Sequence, residues 1–98
     1  MAAYRLSRRA EDNLGEIYAY TELNFGRYQA DAYHAGFDRI FGLLAEFPRM
    51  GRDANELRRG LRRFRFQSHS IFYTEEADHV LIRAIIHHAQ NLRPELFD

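Results

Sequence analysis

The sequence has no cysteine, no lysine, no tryptophan, only two prolines and no long apolar run. Without cysteine it can build neither a disulfide framework nor a thiolate metal site, so stability has to come from packing, as suits a reducing compartment. No stretch approaches the roughly 20 apolar residues that cross a bilayer, and Met1-Ala-Ala-Tyr-Arg-Leu6 lacks the apolar core of a signal peptide. The expectation is a cytoplasmic protein with no membrane partner. Because lysine is missing, all 14 basic residues are arginine, and 14 acids balance them. The balance is uneven along the chain. Arg49, Arg52, Arg58, Arg59, Arg62, Arg63 and Arg65 share one segment with only Asp53 and Glu56. Guanidinium forks bind carboxylates and phosphates through paired hydrogen bonds, so this segment either suits an acidic partner or a nucleic-acid backbone, or is a solvated face.

What is present reads as one α+β domain over residues 1–98. Leu61 to Phe66, His69 to Tyr73 and Val80 to Ile86 are rich in aromatic and β-branched residues and separated by short polar breaks, the pattern of three strands in a meander. In the first, alternation puts Phe64 and Phe66 on one side and Arg63 and Arg65 on the other. Tyr4 to Leu6 is a candidate fourth strand. Ser7 then stands where an N-cap belongs, and Ala10, Leu14, Ile17, Tyr18, Thr21 and Phe25 follow the spacing of one helical face up to Gly26. A second helix is expected from Arg27 to Glu46, with Tyr33, Phe37, Ile40, Leu44 and Phe47 as its stripe and Pro48 ending it. Gly36 and Gly42 are low-propensity positions that would permit a close helix approach. Pro48 to Gly60 reads as a loop, with room for one helical turn at Asn55 to Arg59.

The expected order is β-α-α-β-β-β, with an antiparallel helix hairpin on one face of a mainly antiparallel four-stranded sheet and a short C-terminal tail. The opposite, arginine-bearing face is left for a partner.

Order and residues together resemble the ParE toxins of bacterial ParDE toxin–antitoxin pairs, within the RelE/ParE superfamily. The resemblance rests on Tyr4-Arg-Leu-Ser-Arg-Arg-Ala10 with Asp12-Asn-Leu14 and Ile17, then Phe47-Pro-Arg-Met-Gly51 and Leu57-Arg-Arg-Gly-Leu-Arg62. Ser68-His-Ser-Ile-Phe-Tyr73 and Ile82-Arg-Ala-Ile-Ile-His87 complete it. The tail His87-His-Ala-Gln-Asn91 departs from the family, where a basic residue, Met and Asp commonly follow the first His.

The resemblance implies a toxin that poisons DNA gyrase and is neutralised by a ParD-type antitoxin in a hetero-oligomeric complex, with operator DNA reached only through the antitoxin. It implies no cofactor. On this reading Arg58, Arg59 and Arg62 are candidate antitoxin contacts, while His88, Arg93, Leu96 and Phe97 in the tail are candidate gyrase contacts.

The alternative is a ribosome-dependent endoribonuclease like RelE relatives. Attack by a 2′-hydroxyl needs proton carriers and cations for the phosphorane charge. Arg63, Arg65 and Arg83 with His87 are the residues that could supply them. His69 reads as a turn or core histidine. No metal site is expected, since His87 and His88 as strand neighbours would point to opposite faces.

Overall fold

The computed structural model describes residues 3–97; Met1, Ala2 and Asp98 lie outside the described residues. Ser7 joins the first strand, β1 (Tyr4–Leu6), to the first helix, α1 (Arg8–Phe25). Its hydroxyl accepts from the Ala10 amide at 3.0 Å and donates to the Arg83 carbonyl at 2.9 Å. One residue thus caps the helix and ties it to a distant strand. Gly26 alone separates α1 from α2 (Arg27–Glu46), taking φ 91°, a backbone region that disfavours side chains. The helices run back along one another: Tyr18 donates to Asp31 at 2.6 Å and its ring meets His34 edge-on.

After a short turn at Pro48–Met50 come β2 (Arg52–Asp53), β3 (Leu61–Phe66), β4 (His69–Glu75) and β5 (Val80–His87). The sheet order is β1-β5-β4-β3-β2, so there are five strands where the sequence pattern showed four. The addition is two residues long, pairing Arg52 with Arg63 and Asp53 with Arg62, too short to leave an alternation signal. All strand pairs are antiparallel except β1 with β5, which is parallel. The connection from Ala54 to Leu61 holds two hydrogen-bonded turns, with the Leu57 amide donating to the Ala54 carbonyl and the Leu61 amide to the Arg58 carbonyl, each at 3.0 Å.

The helix hairpin packs on one sheet face. Ala10, Leu14, Phe37, Phe41 and Leu44 meet Ile71, Tyr73, Val80, Ile82 and Ile85 there, with Phe64 and Phe66 at the margin. Gly36 does permit a close approach, but of a strand side chain: a Cβ there would lie 2.6 Å from the Phe66 ring, whereas Gly42 faces open space. Tyr73 is fully buried, and its hydroxyl donates to the Pro48 carbonyl at 2.7 Å and accepts from the Gly51 amide at 2.8 Å. That pair of bonds fixes the loop leaving α2 to the sheet.

The other sheet face is not bare. Leu61, Phe72, Ala84 and Ile86 form a second apolar cluster with Ala54, and Phe97 from the tail closes it, with its ring centroid 4.5 Å from that of Phe72. Burying a phenyl group this fully is worth about 2–3 kcal/mol, enough to fold the tail down as the turn Pro94–Phe97.

Candidate functional site

β3 sorts its arginines by parity. Arg63 and Arg65 lie on the tail side, where Arg63 stands 5.2 Å over the Phe72 ring and reaches the Ser70 hydroxyl at 3.3 Å. Arg62 lies on the helix side and donates to the Gly51 carbonyl at 2.8 Å. Arg58 reaches the Phe97 carbonyl at 3.5 Å, while Arg59 is exposed. The three candidate antitoxin contacts are therefore not one surface: Arg58 and Arg62 serve opposite faces of the sheet, and only Arg59 projects freely into solvent.

A bulge explains Arg83. Phe72 pairs with Ala84 but Tyr73 with Ile82, so Arg83 is the extra residue of β5. Its guanidinium donates to Thr74 Oγ1 at 3.0 Å and to the Phe97 carbonyl at 3.4 Å, and lies 3.8 Å from the Glu76 carboxylate. The bulge also shifts parity, which places His87 opposite His69 on the helix side. The set proposed for RNA cleavage is consequently divided, with Arg63, Arg65 and Arg83 on one face and His87 on the other.

The tail candidates separate in the same way. Phe97 is fully buried and Leu96 is partly covered on the second cluster, so Phe97 is a core residue and not a free contact. His88 and Arg93 are exposed.

Strand β5 ends at His87, so the expectation that His87 and His88 point apart is corrected. His88 belongs to the following turn, its ring centroid 4.3 Å from that of His87, and its Nδ1 lies 3.1 Å from the Ser68 carbonyl. His69 stands 5.2 Å from His87 on the neighbouring strand, and its Nδ1 is 2.8 Å from the Tyr33 hydroxyl. Burial, then the neighbouring His87 and His88, lower its pKa to about 4. His69 is thus a neutral, hydrogen-bonded wall residue at ordinary pH. Among the described residues no cluster of histidines and carboxylates could hold a metal ion.

The histidines line an open groove of about 760 Å³ between the hairpin and the β3–β4 turn, walled by Thr21, Tyr33, Phe66, His69 and His87. It leads to the hairpin tip, where Tyr20, Leu23, Phe25 and Tyr28 are 64%, 86%, 66% and 85% exposed. Sequence reading passed over this surface. The available signal was that Tyr20, Leu23 and Tyr28 fall off the apolar stripes of both helices.

The architecture defines the class. Over 89% of its length the chain superposes, with a TM-score of 0.76 and 17% identity, on 96% of a chain from the chromosomal ParDE toxin–antitoxin system of P. aeruginosa. The two chains share one α+β fold. Residues 4–92 match the model of the ParE toxin of type II toxin–antitoxin systems, and the chain belongs to that family. It is 38% identical over 96 residues to Toxin ParE1 of Caulobacter vibrioides, covering 98% of this chain and 99% of that one. It is also 32% identical over 99 residues to Toxin ParE of Escherichia coli, covering 100% and 96%.

Proposed function

We propose that this ParE toxin acts in the cytoplasm by binding DNA gyrase, stalling it on cleaved DNA, and that a ParD-type antitoxin holds it inactive. Operator DNA is reached only through the antitoxin, and the toxin itself performs no reaction. The reading is carried by identity to ParE toxins along nearly the whole chain. The division of the cations and His87 between two sheet faces supports it, because proton transfer and phosphorane stabilisation have to converge on one phosphate.

The test measures supercoiling and cleaved-complex accumulation by gyrase with purified toxin. Inhibition with trapped cleaved DNA is expected, reversed by adding the antitoxin; gyrase unaffected at micromolar toxin counts against the proposal. Primer extension on messenger RNA after brief induction addresses the ribonuclease alternative. An intact message pool is expected, whereas codon-phased cuts abolished by Arg63→Ala or Arg83→Ala would establish it.

A further inference from the structure

We infer that the tail-side face of the sheet binds the phosphate backbone of double-stranded DNA directly, through Arg52, Arg63 and Arg65. The ligand is duplex of any sequence. Selecting the operator stays with the antitoxin, because phosphate contacts carry no sequence information.

Strand register brings the three cations together. Arg63 and Arg65 are two residues apart on β3, so their side chains leave one face with the Cα atoms about 7 Å apart. Arg52 of β2 is the directly opposite partner of Arg63 and therefore shares that face, at a Cα separation of about 4.5–5.5 Å. Like charges set opposite one another across a sheet repel. The chain supplies no relief: none of the three arginines makes an ion pair with a described carboxylate. Their bonds go to neutral groups, Arg63 to the Ser70 hydroxyl at 3.3 Å and Arg65 Nε to the Gln67 carbonyl at 3.0 Å. The Glu76 carboxylate is engaged elsewhere, 3.8 Å from the Arg83 guanidinium and accepting from the Thr74 hydroxyl at 2.6 Å. Arg52 and Arg65 are exposed and Arg63 is half-buried, so the row is left for an anion from outside the chain.

The rest of the face selects the anion. A protein segment is held by apolar anchors seated in pockets, with charge as an accompaniment. The exposed large apolar side chains among the described residues are Tyr20, Leu23, Phe25, Tyr28, Leu43, Phe47 and Met50, all on the hairpin or in the turn that follows it. On the arginine face, Leu61, Phe72, Ala84 and Ile86 are buried together with Phe97. Single-stranded RNA asks instead for exposed rings on which bases stack. Phe64 and Phe66 pack on the helix side and Phe72 is fully buried. What remains is a row of guanidiniums without anchors or stacking platforms, and neutralising the phosphates of a duplex requires neither.

The test follows the anisotropy of a fluorescein-labelled duplex of arbitrary sequence, titrated with purified full-length toxin between about 50 and 200 mM salt. Binding is expected, with log K falling against log salt at a slope of about −3, the value for three neutralised phosphates. Arg52→Gln and Arg65→Gln should each bring the slope about one unit closer to zero and weaken binding alike on every duplex. Arg52→Glu combined with Arg65→Glu should weaken it by about tenfold or more. Arg39→Gln, at an exposed position on α2, which packs on the opposite sheet face, should change it by less than about twofold; thermal melts establish that each variant folds. Absence of binding at the lowest salt overturns the inference, as does binding that the double reversal leaves within about twofold. Tighter binding of single-stranded RNA than of duplex also overturns it, and tighter binding of polyglutamate of equal charge does so by giving the face to an acidic protein. Because gyrase is absent from the titration, inhibition of supercoiling by the same toxin stands or falls separately.

Discussion

His69 shows how much a neighbourhood changes one side chain. The ring faces the Tyr33 hydroxyl from α2 and the His87 and His88 rings beside it, and its pKa of about 4 lies below the ordinary 6.5. Between those values the unfolded chain binds the proton and the folded chain does not. Stability from this residue is therefore fully present above pH 6.5 and lost as pH falls towards 4. The expected loss is about 1–2 kcal/mol, solvent screening of a partly buried ring reducing the full conversion of the shift. Urea denaturation of wild type and His69→Gln at several pH values checks it: the difference between the two curves should slope across this window and be flat above it. The sequence reading took His69 for a turn or core histidine; it stands instead at the first position of β4, half-buried on the groove wall. The partner Tyr33 lies 36 positions away and could not be read from local pattern.

At the scale of elements, the helix boundaries and the edge strand β1 were legible, and the edge strand β2 was not. α1 and α2 occupy the residues that capping and periodicity indicate, because Ser7, Gly26 and Pro48 act on their immediate neighbours. β2 exists only because Arg52 and Asp53 find Arg63 and Arg62 across a turn. The glycines of α2 separate local from tertiary effects. Gly42→Ala should stabilise the protein by about 0.5–1 kcal/mol through helix propensity, since its Cβ enters open space. Gly36→Ala gains the same propensity but drives a methyl into the Phe66 ring, and overpacking of this kind costs about 1–3 kcal/mol. Urea midpoints should move in opposite directions; equal upward shifts would show that Phe66 yields freely.

For the whole molecule, one sheet carries two apolar clusters, the larger under the hairpin and the smaller closed by the tail. The smaller cluster changes what the tail is. Phe97 fills it, and the guanidiniums of Arg58 and Arg83 converge on the Phe97 carbonyl at 3.5 and 3.4 Å. Phe97→Ala is expected to destabilise the protein by about 3–5 kcal/mol, whereas Leu96→Ala, at a partly exposed site, should cost well under half as much. Equal, small changes in urea denaturation would mean the tail is a free arm.

The sequence alone determined the two helices with their limits, four of the five strands and their order, since these follow from neighbours along the chain and from periodicity, and its motifs carried the family resemblance. Only the tertiary structure decided how the arginines are shared out. A one-residue bulge at Arg83 and the alternation along β3 send each side chain to one face or the other. It also decided that the tail is core and that the hairpin tip is left uncovered, because burial is a property of the packed molecule and has no counterpart in the linear chain.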